Sequence, residues 1–305
     1  MNNTTSTPTT DEGDFANLAA VPDIPLLIFG LFDPSSLAIA ALVSGKWRAV
    51  AAAVVARSSS QKFRLVLADL IAEPRILEWA LERAGPQGKQ LAEVRAWGAA
   101  VKHGHLAGLR WLSRRSEYIR DGPYCSLAAQ HGHLEILQWL RAHDTGWNEW
   151  TCIKAAENGH LSVLQWAHAN GCPWDDRVCT SAAQRGDLEL LRWARANDCS
   201  WNKSTCALAA EGGHFELLKW ARENGCEWDK ETCTGAAKNG RLEILKWARA
   251  GGCPWNKDVC VYATANGHLE VLQWAYANSC ARDKTMYVHF ARDLMVKAWI
   301  SAQPD

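Results

Sequence analysis

Apolar and polar residues follow one another along most of the chain with the period of an α-helix. Over residues 242–248 the apolar residues are Leu, Ile, Leu, Trp and Ala, and only Glu243 and Lys246 are polar. At about 100° per residue the apolar positions cover roughly 220° of the helix surface, more than the stripe of an ordinary surface helix. We therefore predict short helices that neighbouring elements contact from several sides.

This pattern returns every 27 residues, so the chain contains an internal repeat. Two columns of cysteine and two of tryptophan keep the spacing. The first cysteine column is Cys125, Cys152, Cys179, Cys206, Cys233 and Cys260, and the second is Cys172, Cys199, Cys226, Cys253 and Cys280. The tryptophan columns are Trp139, Trp166, Trp193, Trp220, Trp247 and Trp274, and Trp147, Trp174, Trp201, Trp228 and Trp255. With one inserted residue the frame extends back to Trp97, which predicts about seven copies over residues 95–280.

Each repeat is predicted to contain two short helices. An Asn or Asp recurs just before the first helix, where its side chain can accept a hydrogen bond from a free N–H group. These residues are Asn148, Asp175, Asn202, Asp229 and Asn256. In one copy the first helix covers 230–238, Asn239-Gly240 forms the turn, and the second helix contains 242–248. Paired alanines such as Ala236-Ala237 let neighbouring first helices approach closely. The predicted fold is all-α, an α-solenoid of stacked helix-turn-helix repeats.

The segments Thr205-Cys206, Ala209-Ala210 and 213–218 (Gly-His-Phe-Glu-Leu-Leu) closely resemble the ankyrin repeat. The pattern of that family is T-P-L-H-x-A-A, then Gly-His and a leucine-rich second helix, with a period of about 33 residues. In this chain the period is six residues shorter and cysteine replaces the proline. The β-hairpin of the family is predicted to be reduced to a turn that contains tryptophan. The resemblance implies a protein–protein interaction module, and the shorter repeat argues against binding through the long hairpin fingers that are common in the family.

Residues 21–48 resemble an F-box, a small module of three helices. The matching positions are Pro22, Ile28, Phe29, Leu31, Asp33, Pro34, Leu37, Val43, Trp47 and Arg48. The stretch before Phe29 is one residue shorter than is usual in the family, and Pro25 stands where a helix should start. The resemblance implies docking to the small adaptor subunit of an SCF-type ubiquitin ligase. The residues implied to bind this adaptor are Pro22, Leu26, Leu27, Phe29, Leu31, Leu37 and Trp47.

A second interpretation of the N-terminal helices stays open. They would then only cap the solenoid, because three small helices bury too little surface to fold well alone. The predicted organisation is a disordered tail over 1–15, an F-box-like helical module over 16–60, a degenerate first repeat over 61–94, the ankyrin-like repeats over 95–280 and capping helices over 281–305. The last segment departs from the repeat pattern, as a terminal repeat that seals an apolar face should.

The recurrent cysteines, histidines and tryptophans have structural interpretations. Stacked helices lie about 8–10 Å apart, whereas a disulfide needs Cα atoms about 4.4–6.8 Å apart, so cysteines of one column should not pair. Cys172 and Cys179 could meet across their turn, but their spacing is not that of a zinc site, and we expect small buried thiols in a reducing compartment. The histidines that follow glycine share a column with Asp187 and Arg241, so we expect them to stabilise turns. The tryptophan columns are expected in the core.

The overall charge narrows the possible partners. The chain of 305 residues has 33 Lys and Arg and 33 Asp and Glu, a formal net charge of zero. This argues against binding to nucleic acid or to an anionic membrane. No stretch resembles a membrane span or a signal peptide, so we expect a cytoplasmic or nuclear protein that is monomeric outside any complex. No phosphate-binding loop, nucleophile motif or carboxylate pair stands out, so we expect no enzyme activity, cofactor or metal.

The first helices carry a set of positions that vary between copies. Positions −2, +2 and +5 relative to each first-column cysteine are predicted to face solvent, opposite the cysteine and the paired alanines. We call these residues the first-helix strip. They are Trp150, Lys154, Glu157, Arg177, Ser181, Gln184, Ser204, Leu208, Glu211, Glu231, Lys238, Asp258 and Tyr262. Variation at solvent-facing positions is expected of a target-binding surface, and Trp150 and Tyr262 are typical interface anchors.

The two resemblances together predict the substrate-recognition subunit of an SCF-type ubiquitin ligase. The F-box-like module would dock the adaptor, and the repeats would hold a target protein. The alternative is an ankyrin-repeat scaffold or effector that has no link to ubiquitin, with N-terminal helices that serve only as a cap.

Overall fold

The computed structural model describes residues 85–114, 123–280 and 283–303. The chain divides into two compact units, Met1–Gly122 and Pro123–Asp305. The predicted tail 1–15, the F-box-like module 16–60 and residues 61–84 lie outside the described residues. The same holds for all predicted adaptor-binding residues, which are Pro22, Leu26, Leu27, Phe29, Leu31, Leu37 and Trp47. The predicted division into domains stays a prediction.

The first unit contains one described helical pair, α1 (Gly85–Lys102) and α2 (Leu106–Ser113). Helix α1 continues through the predicted boundary between residues 94 and 95. Trp97 in α1 and Leu109 in α2 are completely buried, which fits their apolar character. Gly104 in the turn has φ +80°, a left-handed conformation that glycine adopts without strain.

The second unit is a stack of seven helical pairs. The first helices are α3 (Tyr124–Gln130), α5 (Glu149–Glu157), α7 (Arg177–Arg185), α9 (Lys203–Gly212), α11 (Lys230–Lys238), α13 (Asp258–Ala265) and α15 (Lys284–Phe290). The second helices are α4 (Leu134–Ala142), α6 (Leu161–Ala169), α8 (Leu188–Ala196), α10 (Phe215–Glu223), α12 (Leu242–Ala250), α14 (Leu269–Ala277) and α16 (Leu294–Ser301). The described ranges contain sixteen helices and no strand, which confirms the all-α fold class.

The residues predicted to cap the first helices do so. Oδ1 of Asn202 accepts a hydrogen bond of 2.8 Å from the backbone N–H of Ser204 at the start of α9. Asp229 makes the same contact of 3.0 Å with Glu231 at the start of α11. The other three predicted caps, Asn148, Asp175 and Asn256, accept from Trp150, Arg177 and Asp258. Each cap satisfies an N–H group that the helix itself leaves free.

Three of the histidines that follow glycine, His160, His214 and His268, link their repeat to the one before it. Nε2 of His268 lies 3.0 Å from the carbonyl oxygen of Lys238, at the end of the previous first helix. Equivalent contacts are made by His160 and His214. Arg241 occupies the same column and donates to the carbonyl of Gly212 at 3.3 Å. These side chains were expected to stabilise turns, and they also connect neighbouring repeats. Arginine can replace histidine in this column because both side chains donate to a carbonyl.

Neighbouring first helices pack more closely than neighbouring second helices. Their shared surface consists of small residues, and Cys206, Ala209 and Ala210 in α9 are completely buried. A Cβ at Gly235 in α11 would lie 3.0 Å from the carbonyl oxygen of Ala207 in α9. The predicted role of the small residues is confirmed, and the second helices are left further apart.

The expectation that the tryptophan columns lie in the core is wrong, because all of these rings are only half-buried. In α12, Ile244, Leu245 and Ala248 are buried, whereas Leu242 and Trp247 are half-buried. The buried residues cover about 100° of the helix, and the half-buried ones lie at the two edges of the predicted apolar arc. Since neighbouring second helices stand apart, only the centre of that arc is fully covered.

Cysteines from the two columns meet within five consecutive repeats, because the turn after the second helix folds back over the start of the first helix. The thiol of Cys172 donates to the carbonyl of Asn148, just before α5, at 3.4 Å, and the thiol beside it is that of Cys152 rather than that of Cys179. The sulfur atoms of Cys260 and Cys280 lie in direct contact, with the Cα atoms of the two residues 6.9 Å apart. The other nine cysteines are free and buried.

Candidate protein-binding surface

The first-helix strip runs along the first helices of five consecutive repeats, from α5 to α13. Its two large aromatic residues, Trp150 and Tyr262, are each 41% exposed. The strip residues that are also exposed or half-buried are Lys154, Glu157, Arg177, Gln184, Ser204, Leu208, Glu211, Glu231, Lys238 and Asp258. Ser181 is the exception at 8% exposed, because its hydroxyl turns back and donates to the carbonyl of Arg177 at 2.7 Å. The prediction that Ser181 faces solvent is therefore wrong.

Trp150 is held in place by cations from its own repeat and from the next one. The guanidinium carbon of Arg177 lies 4.7 Å from the ring centroid of Trp150, and Nζ of Lys154 lies 5.6 Å from it. Such cation–π contacts are attractive. Arg177 is itself bound by Asp175 at 2.6 Å and lies 3.6 Å from Glu149. The exposed ring therefore has a fixed orientation, which reduces the entropy lost when a partner covers it.

The basic side chains of the strip are paired with acids. Lys154 contacts Glu157 at 2.6 Å, and Lys238 in α11 reaches Glu211 in α9 at 2.7 Å. The hydrogen bond to Glu211 raises the pKa of Lys238 above its ordinary value. Because these cations are neutralised within the strip, it does not form the basic groove that is typical of nucleic-acid-binding proteins. Exposed aromatic rings among balanced charges are typical of a protein interface.

With Asn in place of Asp175, the free energy of unfolding is expected to fall less as the pH is lowered than it does in the wild type. The hydrogen bond from Arg177 lowers the pKa of Asp175 below its ordinary value, so the ionised carboxylate stabilises the folded state. This contribution is present above about pH 4 and is lost as the pH falls through the lower pKa of the folded state. Asn can keep the cap on the N–H of Arg177 but cannot ionise. Urea unfolding midpoints at about pH 7 and about pH 3 measure the difference.

The matched control for this prediction is Arg177→Gln, which removes the other partner of the ion pair. It should weaken the same acid dependence, and the double variant should show no additional effect, because the two residues share one interaction. Parallel acid dependence of the wild type and the Asp175→Asn variant would show that the pair contributes nothing to folding.

A second row of aromatic residues lies at the turns between repeats. Trp201, in the turn before α9, contacts Trp220 in α10, with ring centroids 5.9 Å apart and planes at 69°. The guanidinium carbon of Arg195 lies 4.3 Å from the ring centroid of Trp201, and Arg195 also donates to the carbonyl of Cys199. The equivalent tryptophan pairs are Trp147–Trp166, Trp174–Trp193, Trp228–Trp247 and Trp255–Trp274. These edge-to-face contacts stabilise the turn.

The sequence analysis missed one column of the repeat, the arginine that contacts the turn tryptophan. Arg141, Arg195, Arg222 and Arg249 each precede a turn tryptophan by six residues and lie 4.1–4.4 Å from its ring centroid. His168 takes this position in one repeat and stacks on Trp174 with centroids 3.9 Å apart. The regular spacing of Arg and Trp was the available signal, since a core tryptophan would not need a cation beside it.

Two other kinds of site are not found in the part of the chain that the structure describes. No group of three or more His, Cys, Asp or Glu side chains is placed to hold a metal ion among these residues. No helix within them is long and apolar enough to cross a membrane.

The segment from α3 to α6 matches a known family. The matching family model, described as ankyrin repeats in many copies, covers residues 125–168. Residues 125–168 therefore have the sequence of ankyrin repeats. A solved structure, the human ASB11 ankyrin repeat domain, is similar over 59% of this chain and 99% of that chain, with 15% sequence identity and a TM-score of 0.47. No curated protein sequence matches this chain. Ankyrin repeats imply a protein–protein interaction module, and in these ankyrin repeats the accessible strip lies on the first helices.

Proposed function

We propose that this chain is the substrate-recognition subunit of an SCF-type ubiquitin ligase, in which the ankyrin repeats bind the target and the N-terminal segment binds the adaptor. The observation that supports target binding best is the accessible strip on five consecutive first helices, with Trp150 and Tyr262 exposed at its two ends. Adaptor binding is supported by the resemblance of residues 21–48 to an F-box. Ubiquitin transfer would be catalysed by other subunits, in the cytoplasm or the nucleus.

The strip has the chemistry of a protein interface with few anchors. Trp150 offers a large ring that Arg177 holds in one orientation, and Tyr262 offers an aromatic ring with a hydroxyl. Between them lie Leu208 and paired charges such as Glu211 with Lys238. Anchoring by rigid aromatic residues, surrounded by polar groups that add specificity, is the arrangement in which a few residues supply most of the binding energy.

Target binding is tested with Trp150→Ala and Tyr262→Ala in the full-length chain. Truncating an interface anchor typically costs about 2 kcal/mol or more, so each variant should bind the target about thirtyfold more weakly. Affinity purification with quantitative mass spectrometry identifies proteins that both variants lose, and titration of the purified candidate measures the change. The matched control is Met295→Ala, which removes an exposed apolar side chain outside the strip, 70% exposed in α16. A target that Met295→Ala loses equally does not bind at the strip.

Adaptor binding is tested separately with Leu26→Ala combined with Phe29→Ala. The wild-type chain should retrieve the adaptor subunit, and this double variant should lose it while it keeps the target. Failure of the wild type to retrieve an adaptor would overturn the ubiquitin-ligase proposal. Deletion of residues 1–60 distinguishes the scaffold alternative, because a pure cap should leave the repeats aggregated or destabilised when it is removed, whereas an F-box should be removable with little loss of stability.

A further inference from the structure

Ten of the eleven cysteines, all except Cys125, form a regular series of neighbouring pairs in the second unit. We call this series the cysteine ladder. Its members are Cys152 with Cys172, Cys179 with Cys199, Cys206 with Cys226, Cys233 with Cys253, and Cys260 with Cys280. We propose that the ladder is a site of reversible oxidation, at which a hydroperoxide converts each pair of thiols to a disulfide within one repeat.

The geometry of one pair shows how the two sulfur atoms are brought together. The thiol of Cys206 points at the carbonyl oxygen of Cys226, with 3.9 Å between Sγ and O. The thiol of Cys226 in turn points at the carbonyl of Asn202, with 3.4 Å between Sγ and O. Both cysteines are completely buried. In every other pair the second-column thiol also points at the carbonyl of the residue 24 positions earlier in the chain. In the pair Cys260 and Cys280 the two sulfur atoms are in direct contact, with the Cα atoms 6.9 Å apart, so the fold of this repeat brings the two thiols together.

The two thiols of a pair are chemically different. The neighbouring Cys206 lowers the pKa of Cys226 below its ordinary value, with further help from Arg222 and Arg195. The neighbouring Cys226, together with burial, raises the pKa of Cys206. The second-column cysteine is therefore the one that loses its proton first, and thiolates are the form that reacts with oxidants. The first-column cysteine is placed to react with the sulfenic acid that this oxidation forms on the second-column sulfur.

The reaction balances with hydrogen peroxide as the two-electron oxidant. The thiolate of Cys226 attacks one oxygen of the peroxide, the O–O bond breaks, and the products are a sulfenic acid and hydroxide. The sulfur of Cys206 then attacks the sulfenic sulfur, the S–O bond breaks, and the oxygen leaves as water after it takes up a proton. In total, two thiols and one peroxide give one disulfide and two water molecules. Hydrogen peroxide is little larger than water, which suits a buried site that opens only locally.

The disulfides would lock the part of each repeat that carries the tryptophan pairs. Each bond joins the start of a first helix to the turn after the second helix, over a sequence separation of 20 residues. In that turn, Arg222 contacts the carbonyl of Cys226 and the ring of Trp228. A covalent link at this place restricts the unfolded repeat and should raise resistance to unfolding. Oxidation would thus stiffen the repeats without changing the first-helix strip.

The chain contains its own control for this proposal. Cys125 stands in the first column of the first stacked repeat, but the second-column position of that repeat is Thr145. Its thiol lies 3.9 Å from the carbonyl oxygen of Thr145 and has no sulfur partner in its own repeat. Burial raises the pKa of Cys125 to about 12. Cys125 should therefore stay reduced under conditions that oxidise the ladder.

The test uses the reduced full-length chain, treated with hydrogen peroxide under native conditions. The chain is then unfolded and its remaining thiols are counted by labelling with N-ethylmaleimide and mass spectrometry. Of the eleven cysteines, one labelled thiol should remain, at Cys125, and dithiothreitol should restore all eleven. Peptide mapping should find the five cross-links of the ladder. Cys226→Ser should leave two labelled thiols, at Cys125 and Cys206, and Thr145→Cys should leave none.

The same treatment of the urea-unfolded chain shows whether the fold directs the pairing. Mixed cross-links in the unfolded chain, against only ladder cross-links in the folded chain, would support the proposal. Three results would overturn it: eleven labelled thiols after native treatment, cross-links between cysteines of different pairs, or sulfinic acids in place of disulfides. None of these results depends on the identity of a target or an adaptor, so the proposed function is tested independently.

Discussion

Leu218→Ala is expected to lower the free energy of unfolding of the repeat stack by about 2–5 kcal/mol. Leu218 lies in α10, near the middle of the second unit, and is completely buried. Its truncation removes buried apolar surface and leaves a cavity that closely packed neighbours fill only in part. Urea unfolding followed by tryptophan fluorescence measures the loss.

Because each repeat contacts only its neighbours, this change should also open the adjoining repeats. Hydrogen exchange should show lost protection from α7 to α12. Leu294→Ala is the matched control, since this leucine is 81% exposed, and it should change the free energy by less than about 0.5 kcal/mol. Ile300→Ala, at a buried position in the last helix, should open α15 and α16 and at most the adjoining pair, α13 and α14. Loss of protection throughout the stack in the Ile300 variant would contradict nearest-neighbour coupling.

Trp193→Ala is expected to lower the free energy of unfolding by about 2–3 kcal/mol, less than the 3–5 kcal/mol typical of a core tryptophan. The ring is half-buried in α8 and packs edge-to-face on Trp174, with centroids 5.5 Å apart. It also contacts His168 at 5.8 Å. The variant therefore loses part of the buried area of a tryptophan and two aromatic contacts. The urea unfolding midpoint measures the change.

The comparison for this prediction is Trp150→Ala, whose ring is 41% exposed and belongs to the strip. It should lower the free energy of unfolding by less than about 1 kcal/mol. Trp193→Phe keeps an aromatic ring against Trp174 and should recover much of the stability that alanine loses. A cost for Trp193→Ala as large as that for Leu218→Ala would mean that the tryptophan columns do belong to the core.

The local structure could be predicted from the sequence to a large extent. The first helix predicted over 230–238 is α11, with the same bounds, and the Asn-Gly turn after it is present. These successes rest on interactions within a few residues, such as the cap that Asp229 provides for the N–H of Glu231. A repeated pattern strengthens such predictions, because every copy reports on the same local interaction.

The candidate site was predicted in part. Helical geometry placed Trp150 and Tyr262 at the surface, and both are 41% exposed. Ser181 was misplaced because a short hydroxyl side chain can satisfy itself on its own helix, as it does on Arg177. The contact of Arg177 with Trp150 joins two repeats. This contact depends on how far one first helix is rotated relative to the next, and the 27-residue sequence repeat does not specify that angle.

The sequence by itself determined the repeat, the two helices of each copy, their caps and the small residues between first helices, because each of these follows from local hydrogen bonding or from side-chain volume. Only the tertiary structure decided that the tryptophans are half-buried in pairs beside arginine, and that cysteines from different columns meet. The reason is the spacing between layers: small residues draw the first helices together, so the second helices diverge, and the turns fold back to bring distant side chains into contact.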